Sequence, residues 1–200
     1  MKKILHAAKY IIEAGLEIEK ILMAETYSIS SMYNQLRGDF TNESWKRLIC
    51  NNKGCPKWIF IMYLALQERL STKDRMSKWG IQVEQTCPLC EQDMESHQHL
   101  FFSCKNSTEI WNKILTWLGI TRQVYSWEPE VEWATRNVIG KGAKAELYML
   151  SMTGAVYHVW IERNCRIFQQ VKRGSGDITR QIICEIHCRG SIHSKLKKEL

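Results

Sequence analysis

Three cysteines and a histidine packed into eighteen residues constrain this chain more than anything else in it: Cys87-Pro88-Leu89-Cys90, then His99, then Cys104. Zinc(II) takes four nitrogen or sulfur ligands in a tetrahedron, so a structural site needs two close ligand pairs that fold back on each other. Cys87 and Cys90 form one pair on a tight turn. His99 and Cys104 form the second, at a spacing usual for second pairs. Four protein ligands leave no corner for water, which predicts a closed structural site with one zinc rather than a catalytic one. His97 stands two residues from His99 and is an alternative fourth ligand; the pair spacing points to His99. A thioredoxin-type redox reading of the Cys-x-x-Cys would leave His99 and Cys104 unexplained, and no strand-helix-strand alternation surrounds it. A disulfide framework conflicts with the N-terminus, where Lys2, Lys3, His6 and Lys9 interrupt what a secretory signal would need to be apolar. Eight cysteines without such a signal predict a reducing, intracellular setting, nucleus or cytoplasm.

The flanks decide what kind of domain surrounds this set. Leu70-Ser71-Thr72-Lys73-Asp74-Arg75-Met76, Trp79-Gly80-Ile81, the Cys87 to Cys90 turn, Glu95, His99-Leu100-Phe101-Phe102-Ser103-Cys104 and Ile110-Trp111 together resemble the zinc-binding domain that follows the polymerase in plant non-LTR (LINE-type) retrotransposon reverse transcriptases. Upstream, Ser31, Tyr33, Leu36, Trp45 and Pro56-Lys57 fall in the same order as in that family. Downstream, Tyr157-His158-Val159-Trp160-Ile161-Glu162-Arg163-Asn164-Cys165-Arg166-Ile167-Phe168 is similar to the segment that closes many such open reading frames. The likeness covers about residues 30–170. It implies a module that accompanies a reverse transcriptase and engages RNA or DNA.

Catalysis is not expected. The chain contains no adjacent aspartate pair of the kind that holds magnesium in polymerases, and it is too short for a polymerase beside this region. No polymerase, endonuclease or RNase H activity is therefore predicted. The longest apolar run, 58–66, is nine residues, far below the roughly twenty that span a bilayer, so no membrane partner is expected.

The rest of the sequence reads as helices, which makes the predicted fold class mainly α. Ile4, Ala8, Ile11, Gly15, Ile18 and Leu22 recur at steps of four and three, an amphipathic helix within 1–27. Trp45, Leu48 and Ile49 share helical spacing and belong to a core; Cys50 and Cys55, around a turn, read as free buried thiols. Pro56 suits the first turn of a helix over 57–70. Ser71-Thr72 cap a short one that Gly80 ends; the family resemblance implies that the two form a platform for the metal site. Residues 81–85 read as extended, and His99 starts a helix that continues through Ile110, Ile114 and Leu118 to Gly119, with Trp111 covering one side of the zinc. Residues 121–143 read as a linker with a helical stretch over 131–138. A long helix then carries Leu147, Leu150, Trp160 and Phe168, and another, capped by Asp177, carries Ile178, Ile182 and Ile186. The domains expected are 1–27, 28–120, 121–143 and 144–200.

Charge suggests where a polyanion would bind. Lys and Arg outnumber Asp and Glu by 28 to 21, a net charge of +7, and the excess gathers near the C-terminus. Arg163, Arg166, Lys172, Arg173, Lys195, Lys197 and Lys198 are the candidate phosphate contacts for RNA or single-stranded DNA; a solvated basic face is the alternative. Cys184, Cys188, His187 and His193 match no common metal-ligand spacing. Eight tryptophans with 44% hydrophobic residues exclude a mostly disordered chain.

Overall fold

The fold was analysed as a computed structural model, which describes residues 43–50, 52–138, 140, 142–192 and 196–198 together with Met23, Ser30 and Tyr33. The expected N-terminal amphipathic helix lies outside the described residues. The chain divides into two units, 1–43 and 44–200, and every element below belongs to the second. Among the described residues there is no strand. The α-helices bounded by described residues are α1 (Lys46–Ile49), α2 (Pro56–Leu66), α3 (Lys73–Lys78), α4 (Lys105–Trp117), α5 (Trp127–Asn137), α6 (Ala143–Phe168) and α7 (Ser175–Ile192). A π-helical turn, His99–Ser103, precedes α4, and a 3-10 turn, Leu196–Lys198, follows α7.

Helix α6 is the axis of the unit. It packs against α2 on one side and α7 on another, while α7 also packs along α4. Helix α2 begins on Pro56, whose missing N–H costs nothing at that position. Its Trp58, Met62 and Ala65 are fully buried. The close approach of α2 to α6 is made possible by Gly154, where a Cβ would stand 2.9 Å from the Trp58 ring. Asn52 locks the loop before α2 onto α6, donating to Leu48 O at 2.8 Å, Met149 O at 3.2 Å and Thr153 Oγ1 at 2.6 Å. On α7, Ile178, Ile182 and Ile186 form the stripe read from the sequence, and all three are completely buried. Each such burial contributes about 1.5–3 kcal/mol. One continuous hydrophobic core runs from Leu48 to Leu196.

Several local expectations are corrected. The helix over 57–70 stops at Leu66, because the chain reverses through Glu68 in the left-handed region (φ 50°) and Arg69 N returns to Leu64 O at 2.7 Å. Beyond the stretch read as extended, residues 81–85, Thr86 and Met94 make an isolated antiparallel bridge. His99 opens a π-turn rather than an α-helix. The helical stretch expected over 131–138 is α5, which begins earlier, at Trp127, and buries Trp127, Glu130 and Ala134. Helix α7 starts at Ser175, so Asp177 sits inside its first turn and is not its cap. Cys50 is exposed and Cys55 only half-buried, accepting from Arg189 Nε at 3.0 Å, so neither is a buried free thiol. The stops at Gly80 and Gly119 hold: both adopt positive φ, 78° and 71°, which glycine allows without strain.

Candidate metal centre

The two ligand pairs come from two kinds of local structure. Cys87 and Cys90 sit on a reverse turn closed by Glu91 N to Cys87 O at 2.9 Å, and the arms of its loop are joined by Cys87 N to Asp93 O and Glu95 N to Gln85 O, both 2.7 Å. Glu91 takes the left-handed conformation (φ 57°) that lets the chain leave the turn. His99 and Cys104 bracket the π-turn, whose wider ring places Cys104 N on His99 O at 2.6 Å. The turn is anchored by Leu100, Phe101 and Phe102, all buried. Its carbonyls are satisfied from α4: Ser107 Oγ donates to Leu100 O at 2.6 Å, and Thr108 Oγ1 to Phe102 O at 2.6 Å.

These scaffolds bring Cys87, Cys90, His99 and Cys104 together, with one donor atom from each lying within 4.8 Å of all the others. Cys87 Sγ is 3.9 Å from Cys104 Sγ, and Cys90 Sγ is 3.3 Å from His99 Nε2. Zinc–sulfur bonds of about 2.3 Å and zinc–nitrogen bonds of about 2.0–2.1 Å put the corners of a tetrahedron roughly 3.5–3.8 Å apart. The donor set fits a tetrahedral zinc, and all four corners are protein. Cys87 and Cys104 are fully buried, while Cys90 and His99 face partly outward. Asp93 Oδ2 lies 4.0 Å from both His99 Nδ1 and Cys90 Sγ, at the half-exposed edge of the cluster.

Backbone dipoles prepare the buried sulfurs for a cation. The N–H groups of Leu89 and Cys90 are directed at Cys87, and those of Asn106 and Ser107, in the first turn of α4, at Cys104. The Cys87 thiol donates to the Cys104 sulfur; this and burial push Cys87 up, while the same bond holds Cys104 down to about 5. A divalent metal held by these sulfurs would take the place of that proton.

His97, the alternative ligand, is elsewhere. Its ring packs edge-on against Phe101 at 5.0 Å and Trp127 at 4.7 Å, and burial lowers its pKa to about 4. Trp111, expected to cover the zinc, packs instead on Phe102 and Tyr148 and donates from Nε1 to the buried Glu130 at 2.9 Å.

The predicted phosphate contacts separate into two groups. Arg163 is 2% exposed and lies flat on Glu95, from Nε at 3.1 Å and from Nη2 at 2.8 Å. Arg166 points at the metal loop, donating to Pro88 O and Leu89 O and pairing with Glu162. Arg163 is thus buried in an ion pair, and the Arg166 guanidinium is engaged by the metal loop and Glu162. Arg173 pairs with Glu162 and Lys172 with Glu91, both partly in solvent, and Lys197 is exposed. Lys195 lies outside the described residues, and Lys198 is described only through its backbone. Cys184 and Cys188 lie on the exposed side of α7, apart from the metal cluster, and His193 is outside the described residues.

Sequence reading missed the role of Glu95 and Glu162 as anchors. The Glu162/Arg166 spacing of i, i+4 was a visible signal; the partnership of Glu95 with Arg163, 68 residues away, was not.

A family model described as zinc-binding in reverse transcriptase matches residues 27–111. The match contains all four clustered residues, ends inside α4, and describes a zinc-binding domain rather than a catalytic one. No curated protein and no solved structure matches the chain. None of the described helices is long and apolar enough to cross a membrane.

Proposed function

We propose that this chain is a structural zinc module of the reverse-transcriptase type, derived from a plant LINE-type element, which holds one zinc through Cys87, Cys90, His99 and Cys104 and contacts RNA or single-stranded DNA without catalysis of its own. A reverse transcriptase is its natural protein partner. The observation that carries the metal reading is the convergence of four donor atoms within 4.8 Å. Nucleic-acid contact is supported by the net charge of +7 and by Trp79, which is 53% exposed with the Arg75 guanidinium 5.0 Å from its ring centroid. An exposed indole beside cations is the arrangement on which unpaired bases stack, each worth about 1–3 kcal/mol. Metal content by mass spectrometry, followed by fluorescence anisotropy with labelled single-stranded RNA, tests both halves. One zinc per chain and an affinity that falls steeply between about 50 and 200 mM salt are expected, with Trp79→Ala weakening binding roughly tenfold. Zinc with no RNA or DNA binding at any salt would sink the second half alone.

A second reading, in which zinc only holds a helical domain that engages other proteins, is favoured by the inward positions of Arg163 and Arg166 and the burial of Trp58, Trp111 and Trp127. The same titration separates the two.

A further inference from the structure

All four clustered ligands lie within the matched segment, yet the turn carrying two of them is held from outside it. Arg166, near the C-terminal end of α6, donates from Nη1 to Leu89 O at 2.8 Å and to Pro88 O at 3.1 Å. These carbonyls belong to the peptide groups whose N–H ends, on Leu89 and Cys90, point at the Cys87 sulfur. A cation on the oxygen end of a peptide polarises it and strengthens the hydrogen bond made by the other end. The guanidinium therefore acts on the sulfur through two peptide groups without touching it.

The rest of Arg166 is fixed in one orientation. Its Nε donates to Glu162 Oε1 at 2.8 Å and its Nη2 to Arg173 O at 3.1 Å, and its side chain is 7% exposed. Glu162 is held in turn by Arg173, from the backbone N–H at 2.9 Å and from Nε at 2.8 Å. Burial alone would raise the Glu162 carboxyl, but the Arg173 N–H and the two guanidiniums keep it below its usual range. Arg166 is thus a guanidinium clamped on one side by a carboxylate and aimed on the other at the metal turn.

We infer that Arg166 is a positioning residue of the metal centre: by fixing the turn at 87–90 and polarising the peptide groups that face Cys87, it makes zinc affinity depend on a helix outside the matched segment. The inference rests on the metal reading above, and its test is built so that the two can fail separately.

The whole chain is loaded with zinc, and its affinity is measured by competition with a chromophoric chelator; cobalt(II) serves as a spectroscopic probe of the same site. Arg166→Lys keeps the charge but cannot reach Glu162 and both carbonyls together, and Arg180→Ala removes an exposed cation paired with Asp177. Arg166→Lys is expected to hold zinc about 10–100-fold more weakly and to shift the sulfur-to-cobalt charge-transfer band, with helical circular dichroism unchanged. Arg166→Ala should lose at least as much, and Arg180→Ala should match the parent chain. If Arg166→Ala fails to fold, Arg166→Lys decides. Zinc affinity within about twofold of the parent and an unshifted cobalt spectrum in Arg166→Lys would overturn the inference and leave the metal reading standing. A parent chain that takes up no zinc overturns both.

Discussion

At the scale of single residues, the two inward arginines show how a charge changes meaning with its partner. Arg163 and Glu95 form an ion pair removed from water, and Glu95 also accepts from Lys73 N at 2.8 Å, at the start of α3. Removing one partner of such a pair leaves a buried uncompensated charge, which costs about 3–5 kcal/mol. Arg163→Leu should therefore destabilise the chain by roughly that amount in urea unfolding, while Glu95→Met with Arg163→Leu should cost less than Arg163→Leu alone; equal losses would contradict the pairing. A histidine gives the pH counterpart. Burial lowers the pKa of His158, and Glu185, 3.3 Å away, opposes this without reversing it. The folded value lies below the unfolded one of about 6.5, so the contribution to stability is fully present above about pH 6.5 and is lost as pH falls through the folded value. His158→Gln should flatten the fall in unfolding midpoint between pH 7.5 and pH 5 relative to the parent. The clustering of Cys87, Cys90, His99 and Cys104 was legible in the sequence because all four lie in one short stretch with zinc-like spacing. The partners of Arg163 and Arg166 were not legible because the groups that face them, Glu95 and the carbonyls of Pro88 and Leu89, are 68 to 78 residues distant. A local count of charges contains no term for that.

At the scale of elements, the helices were legible where apolar periodicity and chain-breaking residues agreed. Gly80, Gly119 and Pro56 marked ends correctly, and the isoleucine stripe of α7 was read intact. The π-turn at His99–Ser103 was not legible, because its extra residue per ring is set by the need to place His99 and Cys104 on one centre while burying Leu100, Phe101 and Phe102. Local propensity does not register such a demand. The α2–α6 contact offers a test at this scale. Alanine is a better helix former than glycine by about 0.8–1.0 kcal/mol, so propensity alone predicts that Gly154→Ala stabilises α6. The added methyl would stand 2.9 Å from a completely buried Trp58 ring, and such overpacking costs about 1–3 kcal/mol. The steric effect should win, lowering stability by up to about 2 kcal/mol net in urea unfolding; a more stable variant would show that α2 can slide.

At the scale of the whole molecule, the matched segment and the folding unit are different objects. Residues 27–111 contain the metal loop, but their buried faces are covered by helices outside that range. Trp58 packs against Gly154 and stacks on Tyr157 at 6.2 Å, Trp111 meets Tyr148 and Glu130, and α4 is sealed by α7. A fragment of 27–111 would expose Trp58, Met62, Ile110 and Trp111, all buried in the whole chain. At about 1.5–3 kcal/mol each, their exposure is comparable to the roughly 5–15 kcal/mol that holds an ordinary domain. Zinc binding, worth about 10–16 kcal/mol in small structural sites, would order the loop between Cys87 and Cys104 but could not supply the missing faces. The fragment is therefore expected to take up zinc without a cooperative thermal transition, whereas 44–200, which keeps α6 and α7, should melt cooperatively in its zinc-loaded form. Circular dichroism melts of the two, each with stoichiometric zinc, decide the matter. A cooperative melt of 27–111 at the temperature of the longer chain would mean that the metal loop organises its own core, and that the contacts from α6 and α7 add little to it.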